Sequence, residues 1–481
     1  MTDSPSLWLR FSRLATINVL SNLMVPLAGL VDSAFLGHLS SIRFFAGVAI
    51  ATALFNYVYR PCNFLRMGTT GPTAQALAAA GLSPVEQDMG QHPEGPLLGP
   101  LPDEASPEAS MRSAPEGEQS PTAALPDEAL LILLRNGAIA IALGAVILLL
   151  QVPLREIGFA LFDATPDVEL AGRSYYQARI WDAPATLINF VLLGWFLGRE
   201  QGGRVLLLSA LSSGGNVALD YLLIVRWGWE SFGAGVATAL SQYLMLVVGL
   251  GFVLWDVPWG RWAVALKILH RDTLLSAFRL NANIWVRSVL FITVYALFTA
   301  WSASLGTTTL AANMLLLQVV ILAVYFIDGL AFATESIAGS FYGAGTSDRL
   351  APLLRLAGGT GLILGLGVAG VFVLFPGSLF ALLTNHTDIV QHIAHDVLWL
   401  LPVLGFGALA FVLDGYFLGL ANGPILRNSM AAAAVVGFLP LAVASWRLNA
   451  NALLWAAMAA FMLVRAVILG TQVPGSIAEL E

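Results

Sequence analysis

The amino-acid sequence predicts an all-α integral membrane protein of twelve transmembrane helices in two pseudo-symmetric six-helix bundles. Of its 481 residues, 57% are hydrophobic and 11% are charged, whereas a soluble domain carries roughly 25% charged residues. Twelve apolar runs have about the 20-residue length that crosses a bilayer. The motif Gly-Trp-Phe-Leu-Gly at 194–198 returns as Gly-Tyr-Phe-Leu-Gly at 415–419, which indicates two related halves.

A second repeat supports this symmetry and identifies an insertion. The Gly-Thr-Thr-Gly segment at 68–71 is echoed by Ala-Thr-Glu-Ser at 333–336, at an offset of about 264 residues. The first motif repeats at an offset of 221, and the 43-residue difference equals the length of segment 84–126. That segment holds nine prolines, eight acidic residues and one base, Arg112, so we expect it to be disordered.

The polar stretch 256–272 divides six apolar runs from six. The sequence therefore predicts an N-terminal lobe over 1–255 that carries the insertion 84–126, a linker over 256–272, and a C-terminal lobe over 273–481. Outside the insertion, 22 basic residues balance 22 acidic ones. Such a surface gives no reason to expect nucleic acid as a partner.

Lysine and arginine positions predict the orientation of the spans. With a cytoplasmic N-terminus, fourteen of them fall on the cytoplasmic side and five outside, so we expect both termini and the insertion in the cytoplasm. The fourteen are Arg10, Arg13, Arg112, Arg135, Arg199, Arg204, Arg261, Lys267, Arg271, Arg279, Arg349, Arg355, Arg427 and Arg465, and the five are Arg43, Arg155, Arg173, Arg226 and Arg447.

Several chemistries find no support in the sequence. Cys62 is the only cysteine, which excludes internal disulfides and cysteine-ligated metal centres. No phosphate-binding Gly-Lys-Ser/Thr loop occurs, so we expect no ATP-driven step. His392 and His395 have a helical metal-ligand spacing with neighbouring aspartates, but they lie at a membrane edge, where a solvated helix start is the simpler reading. We therefore expect neither an enzyme nor a bound metal or organic cofactor.

Ionisable side chains inside the first six spans form one candidate site. A charge at mid-membrane costs about 2.5–3.5 kcal/mol on insertion scales, so each needs a reason. Asp32 lies in the first span, and Asn216 and Asp220 share one face of the fifth. Thr238 of the sixth adds a hydroxyl. Two carboxyls in one dry cavity can share a proton and release it as water access changes; alternatively, these acids only cap or pair helices near the interface.

A second polar set lies in the C-terminal half. Arg287 is placed to neutralise Asp328 or Asp414. One interpretation is a buried ion pair that holds helices in register; the other is a polar lining that recognises a cationic substrate or a second proton. The full set is Asn283, Arg287, Gln318, Tyr325, Asp328, Glu335 and Asp414.

These motifs together resemble the DinF-like branch of the multidrug and toxic compound extrusion (MATE) family. The resemblance rests on Val-Asp-Ser-Ala-Phe-Leu-Gly-His-Leu at 31–39, Asn-Val-Ala-Leu-Asp at 216–220 and Gly-Ala-Gly-Val-Ala-Thr at 233–238. Tyr-Phe-Ile-Asp-Gly at 325–329 and Leu-Asp-Gly-Tyr-Phe-Leu-Gly at 413–419 extend it into the second half. It covers the chain except 84–126.

The resemblance implies a V-shaped pair of lobes and a secondary antiporter that exports organic, cationic or amphiphilic compounds in exchange for H⁺, with Na⁺ as the alternative ion. It implies a cation-coupling role for Asp32, Asn216, Asp220 and Thr238. We expect a monomer in the plasma (inner) membrane of a prokaryote, with a small organic substrate and membrane lipid as partners. The alternatives are a lipid-linked oligosaccharide flippase, against which the few arginines in the spans argue, and a non-transporting membrane protein.

Overall fold

The computed structural model describes residues 4–39, 41–82, 125–162, 164–262, 271–381 and 387–480. Almost all of the predicted insertion, and residues 263–270 of the predicted linker, lie outside this range, so their disorder and boundaries stay predictions. Twelve helical segments of the described chain are long and apolar enough to cross a membrane. Six precede the linker and six follow it, which confirms the predicted fold class.

We number these segments as spans 1 to 12. They are Leu7–Gly37, Ile42–Ala79, Asp127–Leu149, Pro166–Gly198, Gly202–Arg226, Glu230–Asp256, Leu274–Ser304, Thr307–Gly343, Ser347–Leu374, Asp388–Gly419, Gly423–Leu448 and Asn451–Ala478.

The α-helices are numbered in chain order. They are α1 Ser4–Gly37, α2 Ile42–Cys62, α3 Phe64–Ala79, α4 Asp127–Leu149, α5 Gln151–Ala160, α6 Pro166–Arg179, α7 Ala183–Gly198, α8 Gly202–Asp220, α9 Glu230–Asp256, α10 Arg271–Ser304, α11 Thr307–Gly343, α12 Leu350–Leu374, α13 Pro376–Phe380, α14 Thr387–Asp396, α15 Leu400–Gly419, α16 Gly423–Ala432, α17 Leu439–Leu448 and α18 Asn451–Ala478.

Several spans are interrupted, and prolines account for two of the breaks. In span 2, α2 ends directly after Pro61 and α3 begins at Phe64. In span 4, a 3₁₀ turn over Ile180–Asp182 precedes Pro184 at the start of α7. Pro26, by contrast, lies inside the continuous helix α1. The breaks in spans 2 and 4 bring polar side chains to mid-membrane, as described below.

The repeated glycine motifs make the same contact in both lobes. A β-carbon on Gly194 would collide with the carbonyl of Arg66, and one on Gly415 would collide with that of Ala331. Four residues later, Gly198 and Gly419 meet the carbonyls of Thr70 and Glu335 in the same way. Span 4 thus packs on span 2 as span 10 packs on span 8, through the small-xxx-small spacing that lets membrane helices approach closely.

Candidate functional site

The predicted acid pair forms where span 1 packs against span 5. The carboxyl groups of Asp32 and Asp220 lie within hydrogen-bonding range of each other. Asn216 donates from Nδ2 to Oδ2 of Asp220 at 3.2 Å. Oδ1 of each carboxyl accepts no hydrogen bond from a described residue, and Asp220 is fully buried. The fold therefore brings three of the four predicted residues together.

The backbone of span 5 changes conformation directly after the acid pair. Helix α8 ends at Asp220, and Tyr221–Arg226 continue as a π-helical turn. π-Helical turns are rare in proteins, but those that exist are frequently found at functional sites. They displace the following side chains from the regular helical positions.

A cavity of about 450 Å³ begins beside this turn, between span 1 and span 5. Its lining includes residues that follow each acid in sequence, but neither carboxyl belongs to the lining. The lining residues are Ala34, Phe35, His38, Leu39, Tyr221, Ile224 and Val225.

Thr238, the fourth predicted residue, lies in span 6, which packs against span 5. Its hydroxyl donates to the carbonyl of Ala234 one turn earlier in its own helix, at 2.9 Å. No described hydrogen bond joins it to the acid pair. Its coupling role stays a prediction.

The site contains residues of spans 2 and 4 that sequence reasoning missed. Arg179 and Asp182 flank the break in span 4; Nε of Arg179 lies 3.4 Å from Oδ2 of Asp182, and the hydroxyl of Tyr59 donates to Oδ1 at 2.5 Å. Arg179 also donates to the hydroxyl of Tyr175 at 2.7 Å and lies close enough to Asp32 for its charge to act on that carboxyl. Two ionisable residues three positions apart within one apolar run were the signal available in the sequence.

In the C-terminal lobe, Asp414 is shared by two buried arginines. Oδ2 of Asp414 forms ion pairs with Arg287 of span 7 and Arg465 of span 12. Of its two predicted partners, Arg287 thus forms an ion pair with Asp414, although Asp328 also lies near enough for their charges to interact. Arg465 is 0% exposed and lies in the middle of span 12, so its inclusion among the cytoplasmic loop charges was wrong.

Asp328 and Glu335 of span 8 face span 2. The charge of Arg66 acts on both carboxyls, and neither forms an ion pair with a described residue. Both carboxylate oxygens of Glu335 are buried, and the hydroxyl of Thr70, which donates to the carbonyl of Arg66 at 3.0 Å, lies within hydrogen-bonding range of this carboxyl. These two acids therefore lie at the interface between the lobes, within range of the charge of Arg287.

Three predicted residues make no side-chain contact with these acids. The Asn283 side chain accepts from Arg427 at 2.9 Å and donates to the carbonyl of Arg279, an exposed contact between spans 7 and 11. Gln318 is exposed without a described hydrogen bond. Tyr325 contributes its carbonyl, which accepts from Asn22 at 3.3 Å.

The lobes meet along the end of the molecule that carries the N-terminus. Gln75 donates to the carbonyl of Gly419 at 2.6 Å, and Ser336 donates to that of Leu197 at 2.7 Å. Glu200 accepts from Arg10 at 2.8 Å and from Ser340 at 3.2 Å.

Toward the opposite end, beyond the contact of Asn22 with Tyr325, no hydrogen bond or ion pair of the described residues crosses between the lobes. This is the pattern of contacts expected for a V-shaped pair of lobes with its cleft toward that end.

This geometry matches known proteins over its whole length. The family model MatE matches residues 284–443. The chain is 30% identical to the DNA damage-inducible protein F of Escherichia coli (strain K12), over 96% of this chain and 90% of that protein. It belongs to the MATE family. Another relative is the chloroplastic protein DETOXIFICATION 44 of Arabidopsis thaliana, at 24% identity over 86% of this chain and 72% of that protein.

Solved MATE structures share the fold. An outward-facing conformation of a multidrug resistance MATE family transporter of the MOP superfamily superimposes with a TM-score of 0.80 at 16% identity, covering 99% of this chain and 97% of that one. A MOP superfamily transporter from Pyrococcus furiosus also reaches 0.80 at 16% identity, covering 98% and 96%. These likenesses show the two-lobed fold; the twelve candidate spans and the relative in Escherichia coli support a multi-pass membrane protein.

Proposed function

We propose that this MATE protein exports amphiphilic organic compounds from the cytoplasm of a bacterium in exchange for protons, by alternating access across the inner membrane. The observation that carries the proposal is the contact between Asp32 and Asp220, each with an oxygen that accepts no hydrogen bond from a described residue. Two carboxyls in contact repel when both are ionised, so one of them holds a proton and can release it when its surroundings change.

Protons fit this site better than sodium ions for two reasons. The guanidinium of Arg179 acts on Asp32 and would repel a bound metal cation. The hydroxyl of Thr238 is engaged with its own helix rather than turned toward the carboxyls. A proton needs only the two carboxyls, whereas a sodium ion needs several converging oxygen atoms.

The closed end and the positive-inside distribution together support an outward-facing state. With the N-terminus cytoplasmic, the contacts of Gln75 with Gly419 and of Glu200 with Ser340 close the cytoplasmic end, and the cleft opens to the outside. Without Arg465, the predicted count of thirteen basic residues inside against five outside still favours this orientation. Both lobes and the cleft belong to one chain, so we propose that a monomer suffices.

The driving force is sufficient for such an exchange. One proton that crosses a potential of 100 mV releases about 2.3 kcal/mol, and each pH unit adds about 1.4 kcal/mol. A hundredfold outward gradient of substrate requires about 2.7 kcal/mol. One proton per substrate therefore supports export of this size with a modest pH gradient.

The test is transport by the full-length protein in liposomes, with pH and sodium gradients imposed separately and a dye panel that includes ethidium and carboxyfluorescein. We expect the pH gradient to drive dye movement and the sodium gradient to fail. Asp32→Asn and Asp220→Asn should each slow it more than about tenfold, since either change removes a carboxyl of the shared-proton pair.

The matched control is Asp167→Asn, the same change at an exposed carboxylate of the same lobe, which should transport as the wild type does. Undiminished pH-driven movement in both Asp32→Asn and Asp220→Asn would refute the proposal. So would movement driven by sodium alone.

A further inference from the structure

Arg60 is a guanidinium at mid-membrane without a partner among the described residues. It stands halfway along span 2, in the turn before the break at Asn63. The side chain is exposed, and it forms no hydrogen bond or ion pair with a described residue. Helix α2, which carries it, packs against span 7 of the other lobe, and its charge acts on Tyr295 of span 7 and Asp328 of span 8, so Arg60 lies at the junction of the lobes. A charged group at this depth costs a few kcal/mol unless something pairs with it.

Arg66, which follows the break on the same span, is a second arginine whose terminal guanidinium nitrogens donate no described hydrogen bond. Its Nε donates to Oδ1 of Asn63 at 3.2 Å, and its guanidinium lies over the ring of Phe332, 3.5 Å from the centroid. Both terminal nitrogens are buried without a described hydrogen bond. A ligand oxygen that reached these nitrogens would satisfy donors that the protein leaves open.

The charges around the cleft do not suit a cation. Four arginines and three carboxylates lie here. Arg287 and Arg465 share the single carboxylate of Asp414. The two other arginines, Arg60 and Arg66, lie near the two other acids, Asp328 and Glu335. A carboxyl can take up a proton, but a guanidinium stays charged in proteins. The cleft therefore carries net positive charge whatever the protonation of its acids.

We propose that the cleft between the lobes binds the anionic group of an organic substrate, with Arg60 and Arg66 as its partners. A carboxylate, sulfonate or phosphate matches the planar donor pair of a guanidinium. The aromatic ring of Tyr295 lies near Arg60 and suits an aromatic body. This assignment rests on the transport proposed above. The sequence analysis expected a cationic or amphiphilic substrate, whereas this assignment requires an anionic group. The difference arises because the fold brings together arginines that are far apart in the sequence.

The test measures binding of carboxyfluorescein, an aromatic carboxylate, and of ethidium, an aromatic cation, to the full-length protein in phosphatidylcholine nanodiscs. We expect carboxyfluorescein to bind more tightly than ethidium. Arg60→Gln should weaken carboxyfluorescein binding about tenfold, equivalent to about 1.4 kcal/mol, and Arg60→Lys should weaken it less because it keeps the charge. Because Arg60 has no partner to lose, these variants should fold.

Arg43→Gln is the matched control, since Arg43 is an exposed arginine at the far end of the same span, stacked on Phe44. It should bind carboxyfluorescein as the wild type does. The proposal is overturned if Arg60→Gln also binds it as the wild type does, or if ethidium binds wild-type protein more tightly. Arg66→Gln provides a second test of the pair and is interpreted only if its melting temperature matches that of the wild type.

A second arm identifies the source of the anion. If phosphatidylglycerol in the nanodisc competes with carboxyfluorescein in an Arg60-dependent way, the anionic group is a lipid phosphate. If it does not compete, the group belongs to a soluble organic anion. The anion site is supported in both cases.

The same samples separate this inference from the antiport proposal. One outcome would overturn the anion site and leave antiport intact. In that outcome, a pH gradient drives ethidium transport, Asp32→Asn abolishes this transport, and carboxyfluorescein binding does not depend on Arg60. Arg60-dependent binding without any pH-driven transport would support the anion site and refute proton coupling.

Discussion

The two lobes use buried carboxyls in opposite ways. In the N-terminal lobe, Asp32 and Asp220 face each other, and one oxygen of each accepts no hydrogen bond from a described residue. In the C-terminal lobe, Asp414 is held by two arginines from two other spans. A carboxyl beside another carboxyl can exchange a proton, whereas one between two guanidiniums stays ionised and holds helices together. We call the pair of Asp32 and Asp220 the labile site, and the ion pairs of Asp414 with Arg287 and Arg465 the clamp.

The largest effect should come from breaking the clamp. Asp414→Asn leaves Arg287 and Arg465 buried without a carboxylate, and such a loss destabilises a protein by about 3–5 kcal/mol. We expect a markedly lower melting temperature in detergent and poor yield. A double variant with Arg465→Met should recover part of the loss, because it removes one uncompensated charge. A melting temperature equal to that of the wild type in Asp414→Asn would show that the ion pairs do not hold the lobe.

A smaller effect is expected at the labile site, in the same measurement. Asp220→Asn replaces one of two repelling carboxyls by an amide that can donate to Asp32, so the melting temperature should stay equal or rise. Transport should fall at the same time, since stability and activity diverge where a site keeps an unfavourable group for function. Destabilisation as large as that of Asp414→Asn would mean that the acid pair is structural, and the contrast between the lobes would fail.

The smallest effect on transport should come from a change at Glu156, an exposed carboxylate outside the spans that serves as a reference. Hydrogen bonds from Arg173 and then from Arg155 lower the pKa of Glu156 to about 2. A lowered pKa contributes stability above the ordinary value of 4.5 that is lost only as the pH falls toward 2. Glu156→Gln should therefore leave the pH profile of transport unchanged between pH 5 and 8, measured on the same liposomes. A shifted profile would mean that groups outside the acid pair set the pH dependence.

The sequence predicted more of the N-terminal site than of the C-terminal one. Asn216 and Asp220 lie one turn apart on one helix, so their contact follows from helical geometry alone. The pairing of Arg287 with Asp414 was one of two alternatives, and Arg465 was assigned to the cytoplasmic loops. These partners lie on three different spans, and only the rotation of each span about its axis decides which side chains meet. In a bilayer, faces toward lipid and toward protein are both apolar, so hydrophobic periodicity gives little information about that rotation.

The order of residues alone determined the number of spans, their two-fold repeat and the contact between Asn216 and Asp220. These features depend only on local length and spacing. A bilayer about 30 Å thick sets the length of a span, and the 3.6-residue turn of a helix sets which neighbours share a face. Packing decided the rest: Asp32 beside Asp220, Arg179 and Asp182 at the break in span 4, and Arg60 in the cleft. Such contacts join side chains from different spans, so they arise only when the lobes assemble and the helices take up their rotations.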